Sequence, residues 1–369
     1  MRRIASTAAF AAVITAFTLT CQAAPIFDEL TTFGGGDGQI LQGDVGATYL
    51  TTGGTERGIA YNRATNRVYV PTRGGGNRVV ILNGDTGAEI QSVTMPAGVT
   101  GGLFPINQMA VDSNGVIYVA NLTTGTSAAA PFKVYRFANE AALIAGTFTT
   151  AFSGELVTGH RYGDIIDLRG TGAGTQIVVP SGSANSSLAI LTTNDGSSYS
   201  PTIFSTAGLL SGPANDNGPA RQGVAFGDGD VLWGKEAGER LFRATFDLDN
   251  ATLTATNVYS TAQIPSSGGA LEYLPTLDRL VFNSHIPREV RVYDVSDLVG
   301  GPQLLQSFAL GINNADANVA GALSNFANGR VYSLQSNNGI VAIVIPEPAA
   351  CVLAAVGIML AGWQRRRRG

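Results

Sequence analysis

Short apolar runs separated by polar turns recur along most of this chain. Each unit has an apolar run, a turn of Asn, Asp or Gly, a second run rich in Val, Ile, Tyr or Phe, and a third run after a glycine-rich link. Such runs, bounded by residues that tolerate positive φ, are typical of half-buried strands. Residues 137–145 come nearest to a helical apolar period, and only briefly. The pattern therefore predicts an all-β protein.

The unit recurs six times at a spacing that suits a propeller blade. The first apolar runs begin near residues 58, 109, 165, 223, 270 and 321, at intervals of 47 to 58 residues. Four short strands with their turns occupy roughly 40–50 residues in a β-propeller blade. We predict a β-propeller domain over residues 24–345 with six four-stranded blades, or seven as the alternative. Residues 27–33 are expected to close the ring as the outer strand of the sixth blade, because closure removes an exposed sheet edge.

One copy of the unit shows the pattern most fully. It is the segment NRVYVPTRGGGNRVVILNGDTGAEI, residues 66–90. This segment resembles the YVTN/NHL-like repeats of secreted propellers. The resemblance implies the fold and no particular activity, because hydrophobic strands with polar turns recur in many propeller families.

The N-terminal residues 1–23 have the three parts of a secretory signal peptide. Arg2 and Arg3 supply a positive region, residues 4–20 are uncharged and mainly apolar, and the segment ends in small residues. Cleavage is expected between Ala23 and Ala24. An uncleaved N-terminal anchor and lipidation at Cys21 are the alternatives.

The C-terminal residues 346–369 carry a second tripartite pattern. Pro346, Glu347 and Pro348 precede fifteen uncharged, mainly apolar residues, 349–363, and a basic cluster follows. The cluster is Arg365, Arg366, Arg367 and Arg368. Fifteen helical residues extend about 22 Å, and flanking arginines that reach the interface help so short a segment to span a bilayer. The pattern predicts a single transmembrane helix whose arginine end lies in the cytoplasm.

The order and terminal position of these elements resemble the PEP-CTERM sorting signal of Gram-negative, often biofilm-forming bacteria. The resemblance implies passage through the export machinery and recognition by an exosortase, a membrane protease/transpeptidase. It further implies removal of the tail from the membrane-anchored precursor near the motif and delivery of the released protein to the cell surface or extracellular matrix. A permanently membrane-anchored surface protein is the alternative.

Composition and charge narrow the classes of partner. Hydrophobic residues make up 44% of the chain, enough for a sizeable core, and 47 glycines suit a turn-rich protein. The formal net charge is −4, but without the six terminal arginines 17 basic and 27 acidic residues remain, a net of −10. An acidic body disfavours nucleic-acid binding. Cys21 and Cys351 both lie in the terminal segments, so residues 24–345 contain no disulfide and no thiol nucleophile.

Candidate catalytic residues are few. His160 and His285 are the only histidines, and both are expected to be loop or exposed residues. Three acidic turns suggest calcium, but none completes a calcium-binding loop, so no cofactor is predicted and calcium remains an alternative. These turns contain Asp112, Asp228 with Asp230, and Asp247 with Asp249.

A propeller's ligand site usually lies at one mouth of its channel, where the innermost strands begin. Five polar residues near those starts form the predicted channel mouth: Arg57, Gln108, Asp164, Arg221 and Gln222. The sequence favours a non-enzymatic propeller whose loops bind extracellular polysaccharide or matrix protein. The alternative is a propeller hydrolase, lactonase or lyase that acts on extracellular carbohydrate. Such an enzyme would bring several oxygen-bearing side chains to one point in the channel.

Overall fold

The computed structural model describes residues 27–182, 186–210, 218–235, 240–265, 267–314 and 321–345. Contacts divide the chain into one unit, Glu29–Ala342, and a second unit made of Met1–Asp28 with Ile343–Gly369. In the second unit Phe27, Ile343 and Ile345 are buried. The predicted signal peptide, the motif at residues 346–348, the apolar span and the terminal arginines all lie outside the described residues.

Five sheets of four antiparallel strands follow one another along the chain, each in sequence order. Blade 1 contains β3 (Ala60–Asn62), β4 (Arg67–Thr72), β5 (Arg78–Asn83) and β6 (Glu89–Thr94). Blade 2 contains β7 (Phe104–Val111), β8 (Ile117–Leu122), β9 (Phe132–Phe137) and β10 (Thr149–Gly154). Blade 3 contains β11 (Asp167–Arg169), β12 (Gln176–Pro180), β13 (Ser187–Thr193) and β14 (Tyr199–Ser205). Blade 4 contains β15 (Gly223–Phe226), β16 (Val231–Lys235), β17 (Leu241–Asp247) and β18 (Thr252–Tyr259). Blade 5 contains β19 (Leu271–Leu274), β20 (Arg279–His285), β21 (Arg288–Asp294) and β22 (Gln303–Ala309).

The sixth blade combines the two ends of the propeller sequence. Its strands β23 (Gly321–Leu323), β24 (Arg330–Gln335) and β25 (Gly339–Val344) are completed by β1 (Asp28–Glu29) and β2 (Gln39–Leu41). Ile40 pairs with Ile340 in register, and β24 contacts β3 of the first blade. The chain is therefore a closed ring of six blades, a β-propeller, and the seven-bladed alternative is wrong. Closure uses the predicted N-terminal region, but the longer closing strand, β2, follows residues 27–33 rather than lying within them.

The innermost strands coincide with the apolar runs that marked the repeats. β15 and β23 begin at residues 223 and 321, and the other innermost strands overlap the predicted runs or start within a few residues of them. The brief helical pattern is also confirmed. Helix α1 (Glu140–Ile144) begins after Asn139, whose side chain accepts a hydrogen bond from the Ala142 N–H.

Burial decreases from the middle strands to the outer strands of each blade. In blade 1, four central residues of β5 are buried, whereas five of the six residues of β6 are exposed. In blade 4, β18 alternates exposed and half-buried residues, as a strand with one face in water should. The core therefore lies between the blades, where the face of one sheet packs on the face of the next without disulfides. Among the described residues, no helix is long and apolar enough to cross a membrane.

Candidate functional site

Four of the five residues predicted to form the channel mouth contact one another, and three of them lie just before an innermost strand. The Gln108 carboxamide donates to the backbone oxygens of Arg57 (2.8 Å) and Asp164 (2.7 Å). Gln108 is only 2% exposed, and it lies inside β7 rather than before it. Asp164 in turn contacts Arg221, whose Nε lies 3.3 Å from Oδ2. The set connects residues of blades 1 to 4.

Gln222 lies at the start of β15, where blades 4 and 5 approach closely. A Cβ built on Gly269 would lie 2.6 Å from the Gln222 backbone oxygen and 2.8 Å from its Cβ. Only glycine fits at that distance. Gln222 therefore helps to set the spacing of two inner strands, and the described contacts do not join its side chain to the other four mouth residues.

Asp164 lies between two guanidinium groups. Arg161 donates to its carboxylate through both Nε and Nη2, with Nε to Oδ2 at 2.5 Å, and Arg221 approaches the same Oδ2. The hydrogen bond and the charge of Asp164 raise the pKa of Arg161, although burial opposes this. Bidentate pairing fixes the orientation of the Arg161 fork. The Asp164 carboxylate is thus held in place by two arginines.

A second arginine group lies on blade 1 and was not predicted from the sequence. The Arg73 guanidinium lies 3.7 Å from the centroid of the Phe104 ring, and that of Arg57 lies 5.1 Å from it. Both arginines donate to the Gly54 backbone oxygen. Burial, and then the charge of Arg57, lower the pKa of Arg73 to about 10. Arg73 follows β4 in the GGG turn, where the sequence carries no signal that distinguishes it from an ordinary turn arginine.

The Glu56 carboxylate accepts hydrogen bonds from the segments beside this arginine group. Its carboxylate is fully buried and accepts hydrogen bonds from the Thr51 N–H (3.2 Å), the Thr72 hydroxyl (3.0 Å) and the Thr55 hydroxyl. A buried carboxylate needs such donors because burial without them is costly. Glu56 therefore holds the loop from which Arg57 projects.

His160, a predicted loop residue, contacts a serine from another segment. His160 Nδ1 lies 2.7 Å from Ser187 Oγ, and the Tyr162 hydroxyl lies 2.5 Å from the same atom. The His160 ring also stacks on Tyr162, with centroids 6.3 Å apart. Burial lowers the pKa of His160, which favours the neutral ring. Nothing in the sequence indicates that these residues meet, because His160 lies in a loop and Ser187 lies 27 residues later in strand β13.

The expectation for His285 is wrong. This residue ends strand β20, is 3% exposed and pairs in register with Arg288. The turn that follows contains the cis Ile286–Pro287 peptide bond and is so tight that His285 still belongs to the sheet. A two-residue hairpin therefore replaces the looser turn suggested by the sequence.

Two carboxylates on innermost strands accept hydrogen bonds from neighbouring blades. Asp167, in β11, accepts a hydrogen bond from the Phe226 N–H of blade 4 at 2.7 Å. Glu272, in β19, accepts one from the Phe326 N–H of blade 6, also at 2.7 Å. Asp167 keeps some exposed surface, yet its carboxylate lies deep enough for burial to raise its pKa to about 6. Burial, and then the charge of Asp167, raise the pKa of Glu272 well above its ordinary value. In the sequence, both positions can be recognised as acidic residues within the apolar run that begins a repeat.

In the described structure, two of the three acidic turns form the side-chain hydrogen bonds of ordinary hairpin turns. Asp112 Oδ1 accepts hydrogen bonds from the N–H groups of Asn114 and Val116, both at 2.9 Å. Asp247 Oδ1 likewise accepts from the N–H groups of Asp249 and Asn250. Such bonds stabilise hairpin turns. Within the described ranges, no three His, Cys, Asp or Glu side chains come close enough together to hold a metal ion.

Comparison with known proteins supports the fold at the level of architecture. No family model matches the chain, and no curated protein matches it in sequence. A catalytically inactive virginiamycin B lyase from Staphylococcus aureus, solved with quinupristin, matches with a TM-score of 0.50 and 14% identity. That match covers 84% of this chain and 98% of the lyase. A luciferin-regenerating enzyme matches with a TM-score of 0.50 and 8% identity, over 84% of this chain and 96% of the enzyme. At these identities the likeness shows the fold alone.

Proposed function

We propose that this chain is an exported, membrane-anchored precursor that an exosortase converts into a propeller of the cell surface or extracellular matrix. The single observation that carries the proposal is the order of elements at the C-terminus. A Pro346-Glu347-Pro348 motif, an apolar span and an arginine cluster follow a propeller whose N-terminus is preceded by a signal-like segment. A thiol-free body of six packed blades suits an oxidising, extracellular setting, since it needs no disulfide to form.

The proposed role of the propeller is to bind an extracellular polysaccharide or matrix protein. One observation supports binding. The Asp164 carboxylate is held by Arg161 and Arg221, whose side chains are 22% and 25% exposed. Groups that are held by such bonds present a fixed polar surface, which suits recognition. The proposal includes binding of this partner without a cofactor. Calcium-dependent binding is the alternative.

The sorting step is tested by replacing Pro346, Glu347 and Pro348 with alanine in a host that carries an exosortase. The wild-type protein is expected outside the cell without its arginine-ended terminus, whereas the variant should stay in the membrane fraction with the tail intact. Gln364→Ala, a neutral change within the tail, is the matched control and should be processed normally. Mass spectrometry of the C-terminal peptide reads out each case. Normal release of the triple variant would contradict the proposal, and an intact wild-type tail in the membrane would favour the permanent anchor.

Hydrolysis is the second candidate function, and the 2.7 Å contact between His160 Nδ1 and Ser187 Oγ favours it. A histidine in hydrogen-bond contact with a serine hydroxyl can act as its general base. A fluorophosphonate probe should then label wild-type protein and leave Ser187→Ala unlabelled. Ser200→Ala, which changes an exposed serine of the same blade, is the control that should retain the label. Equal labelling of wild type and Ser187→Ala would count against hydrolysis at this position.

A further inference from the structure

Basic side chains gather at one end of blades 1 and 2. Because neighbouring antiparallel strands run in opposite directions, the first and third strands of a blade begin at the end where its second strand finishes. Four basic residues lie at that end: Arg57 before β3, Arg73 after β4, Arg78 at the start of β5 and Lys133 near the start of β9. We call these four residues the basic surface. It lies at the end of the propeller where the innermost strands begin.

Arg57 and Arg73 form the centre of the basic surface. Their guanidinium groups donate to the same Gly54 backbone oxygen and lie 5.1 Å and 3.7 Å from the centroid of the Phe104 ring. Arg73 is half-buried, whereas Arg57 is 7% exposed. The Phe104 ring and the Gly54 oxygen therefore fix a guanidinium, that of Arg73, which still reaches the solvent.

Arg78 and Lys133 extend the basic surface to either side. Arg78 Nε donates to the Gly74 backbone oxygen at 3.1 Å, next to Arg73 in the chain. Lys133 packs against Gly101, because a Cβ built on that glycine would lie 3.3 Å from the lysine Nζ. Gly101 belongs to the loop that leads into β7, so the four basic side chains are connected through short loops.

The charge of the basic surface is only partly balanced. Arg73, Arg78 and Lys133 are half-buried, and they form no ion pair with any residue that the structure describes. The loops at this end of blades 1 and 2 contain two carboxylates, the buried Glu56 and the exposed Glu155. Positive charge therefore predominates here, although residues 24–345 carry a net charge of −10. Such a local excess favours an anionic ligand.

Apolar surface lies beside these charges. Leu103 is 56% exposed, and Phe104 is half-buried with the Arg73 guanidinium on its ring. A sugar ring with a carboxylate offers an apolar C–H face and an anionic group together, and both features find a match here. A polyphosphate such as DNA suits the protein less well, because the acidic body repels an extended anion.

We propose that the basic surface binds an acidic polysaccharide of uronic acid residues, with a carboxylate on Arg73 and a sugar ring against Leu103. This inference rests on the proposed polysaccharide-binding role and names the class of polysaccharide. The guanidinium fork can donate two parallel hydrogen bonds to one carboxylate. Arg73 stays charged at neutral pH, because burial and the charge of Arg57 lower its pKa only to about 10.

The proposal is tested by biolayer interferometry of the full-length chain on immobilised polygalacturonate. Fully methyl-esterified polygalacturonate has the same backbone without the charge, and it should bind at least about tenfold more weakly. Arg73→Gln should weaken binding of the acid about five- to tenfold, and Arg73→Lys should lose less, because it keeps the charge without the fork. Arg63→Gln removes an exposed arginine at the opposite end of blade 1 and is the matched control, which should keep the wild-type affinity.

Thermal midpoints of the variants separate loss of binding from loss of folding. Lys133→Gln is the second test should Arg73→Gln unfold, and it should weaken binding about two- to fivefold. If the methyl ester binds as tightly as the acid, the polysaccharide-binding role stands and this inference is overturned. If neither polymer binds, the polysaccharide-binding role is contradicted as well. Equal losses in Arg73→Gln and Arg63→Gln, or equally tight binding of duplex DNA, would also overturn the inference.

Discussion

Glu272→Gln should make the propeller more stable at neutral and alkaline pH. Burial raises the pKa of both the Glu272 and the Asp167 carboxyl groups, and the charge of Asp167 further raises the pKa of Glu272. Glutamine keeps the side-chain oxygen that accepts the Phe326 N–H at 2.7 Å, so the substitution removes the charge and retains that hydrogen bond. The packing of the two inner strands should therefore change little.

The magnitude follows from linkage. A carboxyl whose folded pKa is raised favours the protonated state, so its contribution to stability falls as pH rises from the unfolded pKa to the folded pKa. For Asp167 the pKa rises from 3.8 to about 6. At about 1.4 kcal/mol per unit this corresponds to on the order of 3 kcal/mol lost between pH 4 and pH 7. Glu272 acts in the same direction, because burial raises its pKa as well. We expect Glu272→Gln to be more stable than wild type at pH 8 and to differ little from it at pH 4.

Urea titrations of the full-length chain between pH 4 and pH 8 measure this difference. Comparing variant with wild type cancels groups that both share, including His160, whose lowered pKa changes stability in the opposite sense. Glu155→Gln, at an exposed position, is the matched control and should show no pH-dependent gain. The reasoning is refuted if Glu272→Gln is no more stable than wild type at pH 8, or if its advantage is as large at pH 4.

Two further changes test how the blades pack. Gly223→Ala should destabilise the fold by roughly 1–3 kcal/mol, because its Cβ would lie 1.9 Å from the Gly269 backbone oxygen. Gly174→Ala, in open space, should be nearly neutral, and equal urea midpoints for the two variants would contradict the inferred strand spacing. Gln108→Leu should cost about 2–4 kcal/mol, since it removes two hydrogen bonds between blades and leaves their carbonyl groups buried. The exposed Gln91→Leu is its control in the same thermal-unfolding measurement, and a similar loss in both variants would argue against the inter-blade role.

The repeat spacing and the alternation of apolar and polar residues were sufficient to predict the blades. A strand's own side chains alternate between its two faces, so a strand can be recognised without knowing its partners. The start of each innermost strand also follows from this pattern. That is why Arg57, Gln108, Asp164 and Arg221 could be grouped before any contact between them was known.

Contacts between distant segments were decided by the tertiary structure. The closing strand β2 pairs with β25 across about 300 residues of sequence, and its position depends on how the ring of blades closes. His285 is buried because the hairpin at residues 286–287 is tight.

The functional groups divide in the same way between those that the sequence predicts and those that only the tertiary structure brings together. Composition and the two terminal patterns predict where the protein is sent, because targeting signals are read as linear segments. The effect of the Asp167 charge on the pKa of Glu272 is not visible in the sequence, since burial and electrostatic interaction depend on which strands become neighbours. Local patterns therefore determined the blades and the export prediction, whereas closure of the ring determined which polar groups meet.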